Sequence, residues 1–217
     1  MKRGLAVFTV GFAAIALVAW RYLQQPAPTY LVAQVDQTFE EVAKHSTFPV
    51  WEKSNRPSEY PGDLKAGVTW IREPSVIVRL DDEGSGFDLP PAKFGAITYM
   101  DNRVQSIIVT PLLKTLTFDD MVAVLQNLQE TFKAKGWVPW NGSHSQWFDL
   151  SPEGRQKLLD DMYATQLGRV IDLRVPKKNL GMYLSFHCED DCEDRPHSRW
   201  LINVEIGKKE MYDWNGE

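Results

Sequence analysis

Seventeen consecutive residues without a charge, Gly4 to Trp20, follow directly on Lys2 and Arg3 and divide the chain before any finer pattern is read. A helix of that length in a soluble core would keep a polar face, yet Thr9 is the only polar side chain in the run. At ~1.5 Å per residue the run extends roughly 26 Å, near the lower limit for crossing bilayer hydrocarbon, and Tyr22 and Leu23 can lengthen it. The reading is a single transmembrane signal anchor over residues 1–23. A cleaved signal peptide fits less well, because Ala14-Ile15-Ala16 lies inside the run and Trp20, Arg21 and Tyr22 crowd the position after Ala19. Lys2 and Arg3 hold the start of the chain in the cytoplasm, which sends the remainder to the periplasmic side of a bacterial inner membrane.

The full chain carries a net charge of −5, and setting aside the three cations Lys2, Arg3 and Arg21 takes the exported part to −8. Such a surface repels phosphate backbones, so nucleic acid is a poor partner and a basic protein surface a better one. Residues 24–65, with Pro26, Pro28, Pro49, Pro57 and Pro61, read as a linker holding one accessory helix from Tyr30 to Lys44. Residues 66–217 read as one periplasmic α+β domain, an antiparallel sheet of hairpins with helices packed on one face.

Within that domain Val68 to Arg72 and Val76 to Leu80 are expected strands, and Asp81 to Pro91 a solvated loop. Lys93 to Met100 and Arg103 to Thr110 form a hairpin, since Asp101-Asn102 tolerates the positive φ of a two-residue turn. Thr117 caps a helix whose buried stripe is Phe118, Met121, Val122, Leu125, Leu128 and Phe132. Ser151-Pro152 opens a second helix that buries Leu158, Leu159 and Met162 as far as Gly168. Three strands follow at period two, through Ile171, Leu173 and Val175, then Met182, Leu184 and Phe186, then Trp200, Ile202, Val204 and Ile206.

The densest polar constellation is the segment from His187 to His197. In an oxidising compartment Cys188 and Cys192, the only cysteines, are expected to form a disulfide. The ring would hold Glu189, Asp190, Asp191, Glu193 and Asp194 on a rigid acidic tip able to steer a cationic partner. Tyr183, on the solvent face of the sheet with Asp172, Arg174, Ser185, Asn203 and Glu205, is a further candidate contact. Two alternatives stay open. Zinc could be held by Cys188, Cys192, His187 and His197, although two arms of paired ligands are the usual arrangement. Trp140 and Trp147, beside Trp137 and Phe148, could stack on the sugars of peptidoglycan or seal the core.

Catalytic motifs are lacking. Ser85 in Glu-Gly-Ser-Gly only partly matches a nucleophile elbow, and Asp81, Asp82 and Glu83 have no apolar pocket implied around them. Neither a phosphate-binding glycine loop nor a metalloprotease helix is present. The expectation is a non-enzymatic, cofactor-free protein-binding module, an inhibitor or immunity protein against an envelope-acting toxin or an envelope assembly factor. A peptidoglycan-binding or hydrolytic protein and a zinc module are the alternatives.

Overall fold

Period-two alternation of apolar residues makes strands the dominant element, and the fold is α+β with mostly antiparallel sheets and three helices among the described residues. The computed structural model describes residues 28–58, 60, 65–140, 146–165 and 168–212. The anchor expected over 1–23 lies outside them. No helix among the described residues is long and apolar enough to cross a membrane.

In chain order the elements are β1 (Tyr30–Ala33), α1 (Phe39–His45), β2 (Ser54–Asn55), β3 (Gly67–Ile71), β4 (Ile77–Leu80), β5 (Phe87–Asp88), β6 (Phe94–Met100), β7 (Arg103–Thr110), α2 (Phe118–Ala134), β8 (Val138–Pro139), α3 (Pro152–Thr165), β9 (Arg169–Arg174), β10 (Gly181–Asp190) and β11 (Arg199–Gly207). A short 3₁₀ turn, Lys209–Met211, follows. Eight strands form one sheet in the order β2-β3-β6-β7-β11-β10-β9-β8, every pairing antiparallel. A second sheet, β1-β4-β5, contains the one parallel pair among the described strands, β1 with β4.

The expected hairpin is present: Asp101 and Asn102 stand at φ 51° and 61° between β6 and β7. Thr117 Oγ1 accepts from the Asp120 amide at 3.2 Å, and every member of the α2 stripe is buried or packed against the core. Gly136, at φ 77°, ends that helix, a conformation in which glycine carries no side-chain clash. Ser151 Oγ accepts from the Gly154 amide at 3.1 Å and starts α3, whose Leu158 and Met162 are buried.

Two expectations fail. Tyr30–Ala33 is a strand, not the start of a helix, and α1 begins only at Phe39, where Thr38 and Glu41 form a reciprocal capping box. Within residues 28–58, Leu31, Ala33, Phe39, Val42, Phe48 and Val50 belong to the same core as the large sheet. The stretch from Asp81 to Pro91 is also not a solvated loop. It contains β5, and Ser85, Phe87 and Leu89 are buried, with Phe87 against Phe132 and Trp137.

Candidate functional site

The buried rows of the large sheet, among them Ile97, Ile107, Val109, Ile171, Leu184, Val204 and Ile206, all face α2 and the core. Residues one step out of phase point the other way, and cross-strand register shows which of them are neighbours. Asp172 pairs with Tyr183, Tyr183 with Glu205, Glu205 with Ile108, Ile108 with Ala96, and Ala96 with Trp70. One row of side chains thus crosses six strands, from β9 to β3, on the face opposite the core. Beside it Thr110 pairs with Phe94 and donates its hydroxyl proton to Asn203 at 2.6 Å.

All of these but Asp172, which flanks it beyond Tyr183, line a shallow trough of about 490 Å³, apolar at the Trp70, Phe94, Ala96 and Ile108 end and polar at the Tyr183 and Glu205 end. Trp70 is 46% and Phe94 71% exposed, large aromatic areas to leave in water. At the polar end burial pushes the carboxyls of Asp172 and Glu205 upward, and neither forms a salt bridge among the described residues. Asp172 Oδ1 is buried without a hydrogen-bond partner. The same burial, reinforced by Asp172 and Glu205, raises the Tyr183 phenol.

Tyr212 lies beyond this end, outside the trough lining. It lies over Gly181 and Gly207, which share the sheet face with Tyr183 and Glu205. A Cβ built on Gly181 would stand 2.5 Å from its Cδ2, and one on Gly207 3.0 Å from its hydroxyl. The ring is 6% exposed, its hydroxyl is buried and unpartnered, and burial together with Glu205 and Asp172 drives its ionisation far upward. Only Tyr183 among these groups was singled out from sequence as an individual contact. Tyr212 carried no periodic signal, and its place shows only once two glycines are found beneath it.

The acidic tip forms separately, at the far end of β10, about 17 Å along the strand from Tyr183 to Cys188 at ~3.3 Å per residue. Cys188 and Cys192 stand at disulfide distance, with Cα atoms 5.7 Å and sulfurs 2.05 Å apart. His187 faces Glu189 at 3.2 Å and His197 faces Asp194 at 2.7 Å, so the histidines engage carboxylates on different sides of the loop. No cluster of three or more possible metal ligands occurs among the described residues. Glu189, Asp190, Asp191, Glu193 and Asp194 are all exposed. The tip is braced on α3 by Arg195, which bonds Asp160 at 2.9 Å and covers the Tyr163 ring, while Tyr163 meets Ser198 at 2.6 Å. A cavity of about 540 Å³ lies against the disulfide, bordered by Met162, Tyr163, His187 and Trp200.

The tryptophans of the sugar-binding alternative are occupied. Arg174 and Lys209 lie 5.4 and 5.0 Å from the Trp140 ring, and Lys133 lies 4.9 Å from Trp147, itself packed on the core. Ser85 is held in a clasp. Its hydroxyl donates to Asp82, while the Lys178 ammonium donates to Asp82, to the Glu83 carbonyl and, at 3.0 Å, to Ser85 Oγ. Ser85 is buried. The clasp ties the 81–88 segment to the β9–β10 turn.

No family model, curated protein or solved structure matches the chain.

Proposed function

We propose that this chain is a protein-binding module of the bacterial envelope, held at the inner membrane by its N-terminal apolar run and working on the periplasmic side without catalysis. The observation that carries the reading is the open sheet face, where exposed Trp70 and Phe94 share a trough with Glu205, and Asp172 follows two strands beyond it, two half-buried carboxylates without salt-bridge partners among the described residues. Isolated solvent-side strand residues would be hydrated or paired. A contiguous aromatic and acidic trough on a rigid sheet is the anatomy of a contact surface, with large anchors at its centre and charge beside them.

The acidic tip adds long-range steering. Its five carboxylates project from a short cross-linked hairpin end, and an exported net charge of −8 favours a basic partner. Blocking of a toxin by an immunity protein and holding of an assembly intermediate both use such a surface, and identity of the partner separates them.

The test is photo-crosslinking in living cells, with a photoreactive residue at Phe94 and, as a control, at Lys157 on the outer side of α3. A discrete adduct with one protein from position 94 and none from 157 is expected. Absence of any adduct from position 94, in cells where the protein is folded and abundant, removes the reading. Neutralising Glu189, Asp190, Asp191, Glu193 and Asp194 together should slow association and flatten its salt dependence.

A further inference from the structure

We infer that the trough receives an extended segment of a partner protein, which seats one lysine or arginine against the Asp172–Tyr183–Glu205 row and a large apolar side chain against Trp70 and Phe94. This rests on the protein-binding reading and adds the chemistry of the occupant.

Charge complementarity selects the cation. Asp172 and Glu205 flank Tyr183 on adjacent strands, and no salt bridge reaches either carboxylate among the described residues. The nearby cations Arg174 and Lys209 are placed over Trp140. The Tyr212 hydroxyl, more than nine-tenths buried and without a partner, lies on the same face. Groups that cost stability while empty are relieved when an ammonium or guanidinium supplies the missing donors. At the opposite end Arg72 sits 5.7 Å from the Trp70 ring, so a second cation there is repelled. A polycation or a basic amphipathic helix fits this polarity poorly.

Spacing selects the backbone form. Glu205, Ile108, Ala96 and Trp70 lie on four successive strands, which places the two ends about 14 Å apart at ~4.8 Å per strand. An extended chain bridges this with residues i and i+4, which project to one side about 13 Å apart, whereas a helix needs about nine residues and a separate alignment of its face to reach both ends.

The experiment uses the full-length protein in detergent micelles and a fluorescent dodecapeptide with lysine and tryptophan at i and i+4 in a serine and threonine background. Saturable binding is expected, weakened at least about tenfold when norleucine replaces lysine, and by a similar factor in Asp172→Asn/Glu205→Gln protein. Phe94→Ala should weaken it through the apolar end. Tyr212→Phe should weaken binding while the melting temperature stays level or rises, a split that a merely structural tyrosine would not give. Equal affinity for the lysine and norleucine peptides, indifference to the double substitution, or no saturable binding each overturns the inference. If Phe94 still crosslinks one protein in cells, the broader binding reading survives that failure; if it does not, both fall.

Discussion

Tyr212 lies against two glycines, and Gly181→Ala is the perturbation that isolates this contact. The added Cβ would stand 2.5 Å from Tyr212 Cδ2, 3.2 Å from Cε2 and 3.3 Å from Lys209 Cα. The ring cannot slide along the face, because its hydroxyl already approaches Gly207, so it must lift. Complete expulsion of a tyrosine that buries ~150–250 Å² would cost ~4–6 kcal/mol at ~25 cal/mol per Å². Partial displacement lowers this to ~2–4 kcal/mol, or roughly 5–15 °C of melting temperature for a domain of this size. Gly181 itself is not at positive φ, and glycine in a strand is weaker than alanine by ~0.5–1 kcal/mol. In a Tyr212→Ala background Gly181→Ala should therefore be neutral or slightly stabilising. The assay is a double-mutant cycle by urea denaturation of the detergent-solubilised chain, followed by circular dichroism. An equal cost of Gly181→Ala in both backgrounds would refute the packing argument.

The raised carboxyls of Asp172 and Glu205 bind protons more tightly in the folded chain than in the unfolded one, so stability falls as pH climbs through their folded range. Asp172→Asn/Glu205→Gln should melt higher than wild type at neutral pH, and the gap should close below the ordinary carboxylate range of about pH 4; a gap that widens in acid would contradict the assignment. Lys178→Met breaks a part-buried clasp and leaves Asp82 without its cation, which should cost ~1–3 kcal/mol, measured by the same denaturation, and unchanged stability would dismiss the clasp as a strut.

Much of the fold was legible because its signals are local. The Asp101-Asn102 turn, the Thr117 cap and the three period-two strands needed no tertiary information, and each reappears at or within a residue or two of its expected place. Tyr30 to Lys44 misled for a physical reason. Tyr-Leu-Val-Ala also alternates at period two, Asp36 takes φ 68°, and Thr38-x-x-Glu41 marks a helix start that was there to be read. The loop from Asp81 to Pro91 was misjudged because its acidic residues suggested water, whereas Lys178, almost a hundred residues later, satisfies Asp82 from the core side. The open face was half visible: alternation assigned Asp172, Tyr183 and Glu205 to the solvent side, but strand order alone brings Trp70 and Phe94 beside them.

The last of the described strands, β11, occupies an interior position in the large sheet, between β7 and β10. The two parts of that sheet, β2-β3-β6-β7 and β10-β9-β8, are joined only through β11, so the sheet is incomplete until β11 fills the slot between them. Trimming from the C-terminus does not fray an edge; it splits the sheet down its middle.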